Sequence, residues 1–532
     1  MKSYFLWVLL LIAAFFLFYN LGDRLLWGDE AFFGLLGKTT LKYGYPSNFD
    51  GTNIIYGNFE GTVFKFYNAS GVYVWKWHPW LIFYILAASI KIFGSNTLSI
   101  RLFPAFFGLL TVLMMYLFAL KLTKNKTIAN LATVLLVFCV PFYMYSRQGT
   151  YYSLSLFLSL VVLFAYLKVL NREKHGVLLF TVSSILLFYT TYFPFFSIYA
   201  GIVLHYIIFH RKINLHIQLL ISSIIIAIFT LPWYIYSSLG TKIEVSILGI
   251  LFGILYLFIY YSVYIFPAIL WIFVPFLIFK KYNKKIIIDD GYFLILFVIF
   301  IGLCVVNLAP WELPQFRYII FLIPLALILT AGIFALILRY NKYVFAIILL
   351  IFIFSNLLYI FPFKLFEPIF LNSVENDSES YYFIQENLRY RFFLMDYVDE
   401  ITHSYVTPNQ VIVDYLIKNG KRRDVFLTND ADTVILFYTN LTIYRTNLNR
   451  TPDWIIPRKP NYIWSKYNDS NYQFVVDRID YSYKKIILNS TDYLYLLDEP
   501  LPRTHRFIYD KENKILNRFE TYPIEIYHLS AD

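Results

Sequence analysis

Leu25-Leu26-Trp27-Gly28-Asp29-Glu30-Ala31-Phe32-Phe33 places two adjacent carboxylates just beyond an apolar run, Tyr4 to Tyr19, that ends at Asn20-Leu21-Gly22-Asp23-Arg24. If that run crosses a membrane, the pair sits at its exit, with one wall apolar and the other wet. Such a carboxylate suits general-base work on a hydroxyl. The same residues also suit a plainer use, with Asp29 capping the helix-like stretch to about Lys42 and Glu30 complementing its dipole. Lys2 followed by an apolar stretch resembles a cleavable leader, but Asn20 to Arg24 offers no small-residue cleavage site and more apolar segments follow. It reads as a retained first helix.

Working outward, the chain of 532 residues is 59% hydrophobic, 21% aromatic and only 15% charged. Soluble domains average about 45–50% apolar and about 25% charged, so a soluble enzyme, a disordered chain and a nucleic-acid binder all fit poorly. Apolar segments recur near 79–93, 102–120, 127–145, 151–169, 177–193, 195–209, 217–236, 246–279, 291–308, 319–338 and 343–361. Many approach the roughly 20 residues that a crossing needs. Residues 1–370 carry 26 Lys+Arg against 11 Asp+Glu, and residues 371–532 carry 19 against 23. The basic excess therefore belongs to loops of the apolar part, where Lys and Arg mark the cytoplasmic side.

Lys121/Lys124/Lys126, Arg172/Lys174, Arg211/Lys212, Lys280/Lys281/Lys284/Lys285 and Arg339/Lys342 fall on every second connection if 246–279 crosses once. Its first half is then expected along the outer interface as an amphipathic helix. Parity further requires that 79–93 stop short of a full crossing, or that the charge rule fail at Lys121. The N-terminus is expected in the cytoplasm. Residues 20–78 form a first external loop, and Asp23, Asp29, Glu30, Asp50, Glu60, Glu244, Glu312 and Glu367 all face outward. The fold class read from this pattern is a polytopic α-helical membrane protein of about 11–13 spans, residues 1–370, followed by a C-terminal extracytoplasmic α/β domain, residues 371–532. Within that domain Asn409–Asn419 and Asp432–Tyr438 read as helices. Asp424–Leu427, Leu441–Tyr444, 453–456, 473–476 and 485–488 read as strands.

Several further residues have chemistry to offer. Trp75-Lys76-Trp77-His78-Pro79-Trp80 ends the first external loop with a belt of aromatics, usually anchors at a headgroup boundary. His78 and Lys76 would lie beside Asp29 if the loop folds back. Arg101, Arg147 and Arg317 sit at the external ends of apolar segments. Snorkelling accounts for one such arginine, but three on the side of the acidic pair point to a phosphate site, because guanidinium presents a planar fork to anionic oxygens. Asp430-Ala431-Asp432 has the spacing of a divalent-ion and nucleotide-sugar motif, yet its place between strand and helix favours capping. Cys139 and Cys304 lie in apolar runs and read as small core residues. Asn440-Leu441-Thr442 is a glycosylation sequon in an Asn-rich segment. Phosphate-loop, dinucleotide, zinc-protease and nucleophile-elbow motifs do not occur.

Taken in order, Trp27-Gly28-Asp29-Glu30, His78-Pro79, Arg101-Leu102-Phe103-Pro104 before Gly108-Leu109-Leu110-Thr111-Val112, Leu231-Pro232-Trp233 and Arg317-Tyr318-Ile319-Ile320 resemble the GT-C class of membrane glycosyltransferases. The protein O-mannosyltransferases and the lipid A aminoarabinose transferase are the nearest in pattern. Pro452-Asp453-Trp454-Ile455-Ile456 and Pro500-Leu501-Pro502-Arg503-Thr504-His505-Arg506-Phe507 resemble external C-terminal domains of some members. The resemblance implies a polyprenyl-phosphate sugar donor, undecaprenyl or dolichyl, and an extracytoplasmic acceptor hydroxyl on protein, lipid or glycan of the cell envelope. It implies Asp29 as base, Glu30 in support, and His78, Arg101, Arg147 and Arg317 on the donor phosphate. Trp27, Tyr151 and Tyr318 would line the substrate cavity, and displacement would invert the anomeric centre. No cofactor is expected with certainty. A divalent metal of the aminoarabinose branch is left open, since Trp77-His78 replaces that branch's Glu-Lys pair. If His78 touches phosphate, activity should fall as pH rises through the imidazole pKa, ~6.5 unperturbed. A lipid or polysaccharide transporter or polymerase is the rival reading. It would place charges near the bilayer midplane, whereas these lie at segment ends. An export or adhesion scaffold would need no carboxylate pair.

Overall fold

Long runs such as Tyr152–Leu170 are apolar all round, which in water would leave no face to solvate and in lipid needs none. The computed structural model describes residues 4–56, 73–210, 213–237, 247–265, 267, 290–308, 316–374, 384, 388–402, 406–429, 431–444, 450–458, 472–490 and 522–530. In chain order the helices are α1 Tyr4–Phe18, α2 Gly28–Tyr43, α3 Leu81–Phe93, α4 Thr97–Thr123, α5 Lys126–Val137, α6 Val140–Ser146 and α7 Tyr152–Leu170. Then come α8 Gly176–Phe188, α9 Tyr192–Phe209, α10 Ile213–Tyr236, α11 Ile247–Tyr264, α12 Asp290–Val306, α13 Ile323–Tyr340 and α14 Lys342–Phe354. Among the described residues, five helices are long and apolar enough to cross a membrane, or six if α5 and α6, bent by 63°, form one broken span. Six shorter apolar helices accompany them. Leu220, Ile224 and Ile228 on α10 are 60%, 51% and 62% exposed, an apolar face suited to lipid rather than water.

The structure gives α3 only 13 residues, roughly 20 Å, and packs it on α2, with Gly37 facing Leu86 and Ile90. Helix α4 is 27 residues long and joins α3 through the turn at Gly94, where φ is +79°. Its two ends, Arg101 and Lys121, therefore stand about 30 Å apart along the axis. Arg101 is bonded to the 21–30 segment. This places Arg101 on the Asp29 side and Lys121 on the opposite one. Helix α11, ILGILFGILYLFIYYSVY, lacks the charged face expected of an interfacial helix. Large apolar side chains emerge along one face of it, including Leu251 and Leu255 at 58% and 55% exposure and Phe258 at 41%. The amphipathic assignment of its first half is corrected accordingly. Residues 268–289, Glu60, Glu244, Glu312 and Asp430 lie outside the described residues, as do 211–212.

Beyond α14 follow α15 Leu357–Lys364, α16 Glu367–Asn372, α17 Phe393–Thr402, α18 Pro408–Asn419 and α19 Asp432–Tyr438. They lead into a five-stranded sheet of order β2-β1-β3-β5-β4, built from β1 Val425–Thr428, β2 Thr442–Ile443, β3 Trp454–Ile456, β4 Tyr483–Ser490 and β5 Tyr522–Leu529. The sequence β1, α19, β2 is a crossover unit, with Val425 opposite Thr442 in parallel register. Strand β3 pairs parallel to β1, and β5 runs antiparallel between β3 and β4. Residues 472–476 are helical rather than the strand expected at 473–476. Gln473 Nε2 bonds Asp477 Oδ1 one turn on, a local contact that only a helix allows.

This domain is fused to the membrane helices by buried polar ties. Arg24, after α1, donates to Glu400 Oε1 at 2.8 Å and to the Glu400 carbonyl, and both side chains are almost wholly buried. Tyr397 Oη donates to the Phe16 carbonyl at 2.8 Å, satisfying one of the orphan acceptors of α1. A buried ion pair broken on one side leaves a bare charge, which costs about 3–5 kcal/mol. Arg24→Met is therefore expected to lower the thermal midpoint of the purified protein markedly, while Arg24→Met with Glu400→Gln recovers most of the loss. Equal midpoints for the single and double variants would show that the pair does not hold the domain.

Candidate active site

Helix α2 begins at Trp27, whose φ and ψ are −82° and 173°, and carries Asp29 and Glu30 in its first turn. Adjacent residues on a helix point about 100° apart, and here the two carboxylates have different surroundings. Glu30 is fully buried. Its Oε1 accepts from Arg101 Nε at 2.8 Å and from the Gly149 N–H at 2.7 Å. Its Oε2 accepts from Arg101 Nη2 at 2.6 Å and from the Trp27 N–H at 3.1 Å. Four donors on one carboxylate repay its desolvation only because all are present. Glu30 is thus occupied as a structural anchor that sets where α2 starts.

Asp29 has a 43% exposed side chain, and its Oδ2 takes a 2.5 Å bond from Arg317 Nη1. Arg317 comes from a single 3-10 turn, Phe316–Tyr318, ahead of α13. Among the described residues its buried Nε has no hydrogen-bond partner. The other lining comes from several elements. His78 stacks on Trp75 and lies edge-on to Phe33 and tilted against Tyr151, Tyr151 is edge-on to Tyr152, and Tyr318 lies beside Phe193 of α9.

The four cationic candidates separate clearly. Arg317 reaches Asp29. Arg101, expected on phosphate, is spent instead on Glu30 and on the carbonyls of Arg24 and Leu25 at 3.2 and 3.0 Å. Arg147, also expected there, donates to the carbonyls of Phe16, Leu17 and Tyr19 at 2.9, 3.2 and 2.9 Å. It caps the C-terminus of α1, where unpaired carbonyls and the helix dipole attract a cation. His78 is not a cation at all. Its Nδ1 accepts from Trp75 Nε1 at 3.2 Å, and indole N–H only donates, so that nitrogen carries a lone pair. Burial first, then the Arg317 charge, pushes the imidazole down to about 3. The pH dependence expected of a protonated His78 is therefore withdrawn.

Other groups were not flagged by sequence. Among the described residues, the Gln148 amide and the Thr150 hydroxyl, on either side of Gly149 in the chain, and Trp27 Nε1 are buried without hydrogen-bond partners. Buried polar groups seldom stay unpaired, which sets these atoms apart from the surrounding core. No residue motif announces them, since each is defined by what it fails to touch. Tyr56 also belongs here. Partial desolvation, then the charges of Asp29 and Asp432, raise its phenol pKa. The C-terminal domain reaches the same place, because Thr433 Oγ1 donates to the Gly28 carbonyl at 3.0 Å, and Tyr438 Oη accepts from the Leu26 N–H at 2.9 Å. Asp432 bonds the Thr433 N–H at the start of α19.

Glu30, saturated by donors, has no oxygen left for a metal. Among the described residues the metal-capable group is His205, His210 and Asp290, whose ligand atoms lie within 4.8 Å of one another. His205 is 12 residues along α9 from Phe193, about 18 Å by helix rise, so this group is remote from Asp29.

Depressed basicity of His78 has a consequence for stability. The neutral folded form binds fewer protons than the unfolded chain between the two pKa values, so stability is full above about 6.5 and declines as pH falls toward 3. His78→Phe should flatten that part of the stability–pH curve, measured by thermal melts in buffers of matched ionic strength. An unchanged curve would place the titrating group elsewhere.

Residues 77–236 match the dolichyl-phosphate-mannose-protein mannosyltransferase family. An uncharacterized protein of Aquifex aeolicus is 26% identical over 230 residues, 43% of this chain and 42% of that protein, so the match spans less than half of that relative. The crystal structure of ArnT from Cupriavidus metallidurans bound to undecaprenyl phosphate superposes with a TM-score of 0.55 at 11% identity, covering 100% of this chain and 99% of that one. The apo state of the same protein gives 0.53 at 11% identity, covering 98% and 97%. With its apolar helices and its C-terminal sheet domain, the chain is a multi-pass membrane protein that has the fold of the GT-C class glycosyltransferases.

Proposed function

We propose that this protein transfers a sugar from a polyprenyl-phosphate donor to an acceptor hydroxyl on the outer side of the membrane, with Asp29 as general base. The observation that carries the reading is the pairing of a half-exposed carboxylate, Asp29, with Arg317, whose Nε has no hydrogen-bond partner among the described residues. The ArnT structure is bound to undecaprenyl phosphate, and the family matched over 77–236 is described by dolichyl-phosphate-mannose. Both support a lipid-phosphate donor here.

In the resting site Arg317 holds Asp29 Oδ2, while among the described residues Oδ1 has no hydrogen-bond partner. A donor phosphate competes for the guanidinium and loosens its grip on the carboxylate. Asp29 then takes the proton of the acceptor hydroxyl, whose oxygen attacks the anomeric carbon as the bond to the phosphate oxygen breaks. The negative charge leaves on the lipid phosphate, toward which Arg317 is preorganised. One displacement inverts the anomeric centre. The isoprenoid stays in hydrocarbon beside the helices, and the sugar enters the space bounded by Trp27, Tyr56, Tyr151 and Tyr318. In this reading α1 starts in the cytoplasm and the sheet domain lies outside, which keeps the Lys121 end of α4 on the cytoplasmic face.

Purified protein in nanodiscs, given radiolabelled polyprenyl-phosphate sugar and an envelope extract, tests the assignment. Asp29→Asn should cut transfer by roughly 10²–10⁴-fold, the range of general-base contributions, while keeping donor binding. Arg317→Met should instead weaken donor binding. Transfer by Asp29→Asn at the wild-type rate would remove Asp29 as base.

A second expectation concerns Glu30. Glu30→Gln keeps the shape but leaves the Arg101 charge without its carboxylate, so destabilisation should be seen by thermal melt, and activity should fall with the folded fraction. Full stability with selective loss of transfer would make Glu30 a participant in the chemistry.

A further inference from the structure

On the face of α2 turned away from Asp29, a pocket of about 330 Å³ opens between that helix and the C-terminal domain. Lys38, Lys42, Arg422 and Arg423 line it, against the single carboxylate of Asp50. That carboxylate is already committed, accepting from the N–H groups of Thr52 and Asn53 at 2.7 Å each and from Asn53 Nδ2 at 3.0 Å. The cations are held but not neutralised. Lys38 Nζ donates to the Phe437 carbonyl at 2.6 Å and Lys42 Nζ to the Asp50 carbonyl at 2.6 Å, each using one of three N–H donors. Among the described residues, the guanidinium groups of Arg422 and Arg423 have no hydrogen-bonding or ionic partner.

The turn that presents the arginines is held by hydrogen bonds. The Lys421 N–H bonds Asp424 Oδ2 at 2.9 Å, the Asp424 N–H returns to the Lys421 carbonyl at 3.0 Å, and the Arg423 N–H bonds the Asn440 carbonyl at 3.3 Å. Arg423 itself is left-handed, with φ +73°, a conformation that non-glycine residues rarely adopt and that sites of function often retain. Desolvation also lowers the Lys38 pKa to about 8, against the pull of Asp50, so an added negative charge would relieve it.

We propose that this pocket binds a phosphate group, gripped by Arg422 and Arg423 from the sheet domain and by Lys38 and Lys42 from α2. Two arginine forks above two ammonium groups suit a tetrahedral oxyanion. Nine residues separate Lys38 from Asp29, two and a half turns and about 14 Å of rise, so the two face opposite ways. The pocket is therefore a second site, and the proposal does not depend on the transfer reaction. The phosphate is supplied either by a membrane headgroup or by a soluble ligand.

Calorimetric titration of the full chain with inorganic phosphate, in nanodiscs of zwitterionic lipid, tests it. Saturable binding is expected, weakened at least about tenfold in Arg422→Glu with Arg423→Glu, and unchanged in Arg317→Met. These arginines are exposed, and a thermal melt checks that the variant folds; Lys38→Gln should weaken binding too. Nanodiscs containing phosphatidic acid separate the sources: lost phosphate binding identifies the headgroup, and retained binding a soluble ligand. Absence of saturable binding, indifference to both arginines and Lys38, or loss in Arg317→Met alone would overturn the proposal.

Discussion

One fully buried carboxylate, Glu30, fixes the geometry on which the rest depends. Its four donors come from three separate parts of the chain: the Trp27 N–H at the head of α2, Arg101 near the head of α4, and the Gly149 N–H in the corner before α7. A bare carboxylate at this depth would be prohibitive, so the three elements must meet here or the charge cannot be buried. Asp29, one residue earlier, is thereby rotated about 100° away from the anchor. It faces Arg317 and remains partly exposed. Neighbouring carboxylates of similar intrinsic chemistry become a buried anchor and a partly exposed partner of Arg317 through position alone.

The arginines divide in the same way, and the reason is the backbone. Where a helix ends in an apolar setting, its last carbonyls have neither intrahelical partners nor bulk water. Arg147 serves three such carbonyls at the end of α1, and Arg101 serves the segment that follows. These contacts are permanent parts of the fold. The Asp29–Arg317 contact differs because Asp29 is partly exposed and because, among the described residues, Arg317 Nε has no hydrogen-bond partner.

The C-terminal domain is joined to this arrangement rather than appended to it. Helix α19 lies against α2 so closely that a Cβ on Gly34 would stand 2.6 Å from the ring of Phe437. Thr433 and Tyr438 bond the backbone at Gly28 and Leu26, on either side of Trp27. The same contact creates the cationic pocket on the far face of α2.

The amino-acid sequence by itself determined the membrane class, the position of most helices, and the Asp29/Glu30 pair, because apolar run length and a charge next to a span exit are local properties. It also identified α18, α19 and the strand positions of β1 to β4, while β5 and the helical turn at 472–476 escaped it. Strand β5 gains its status from β3 and β4, which lie far away in sequence. Only the tertiary structure decided which carboxylate is buried, which arginines serve carbonyls, and that His78 is neutral. Each of those depends on partners tens to hundreds of residues away. The chemistry of an ionisable group is set by the donors, charges and solvent around it, and a linear string does not contain that neighbourhood.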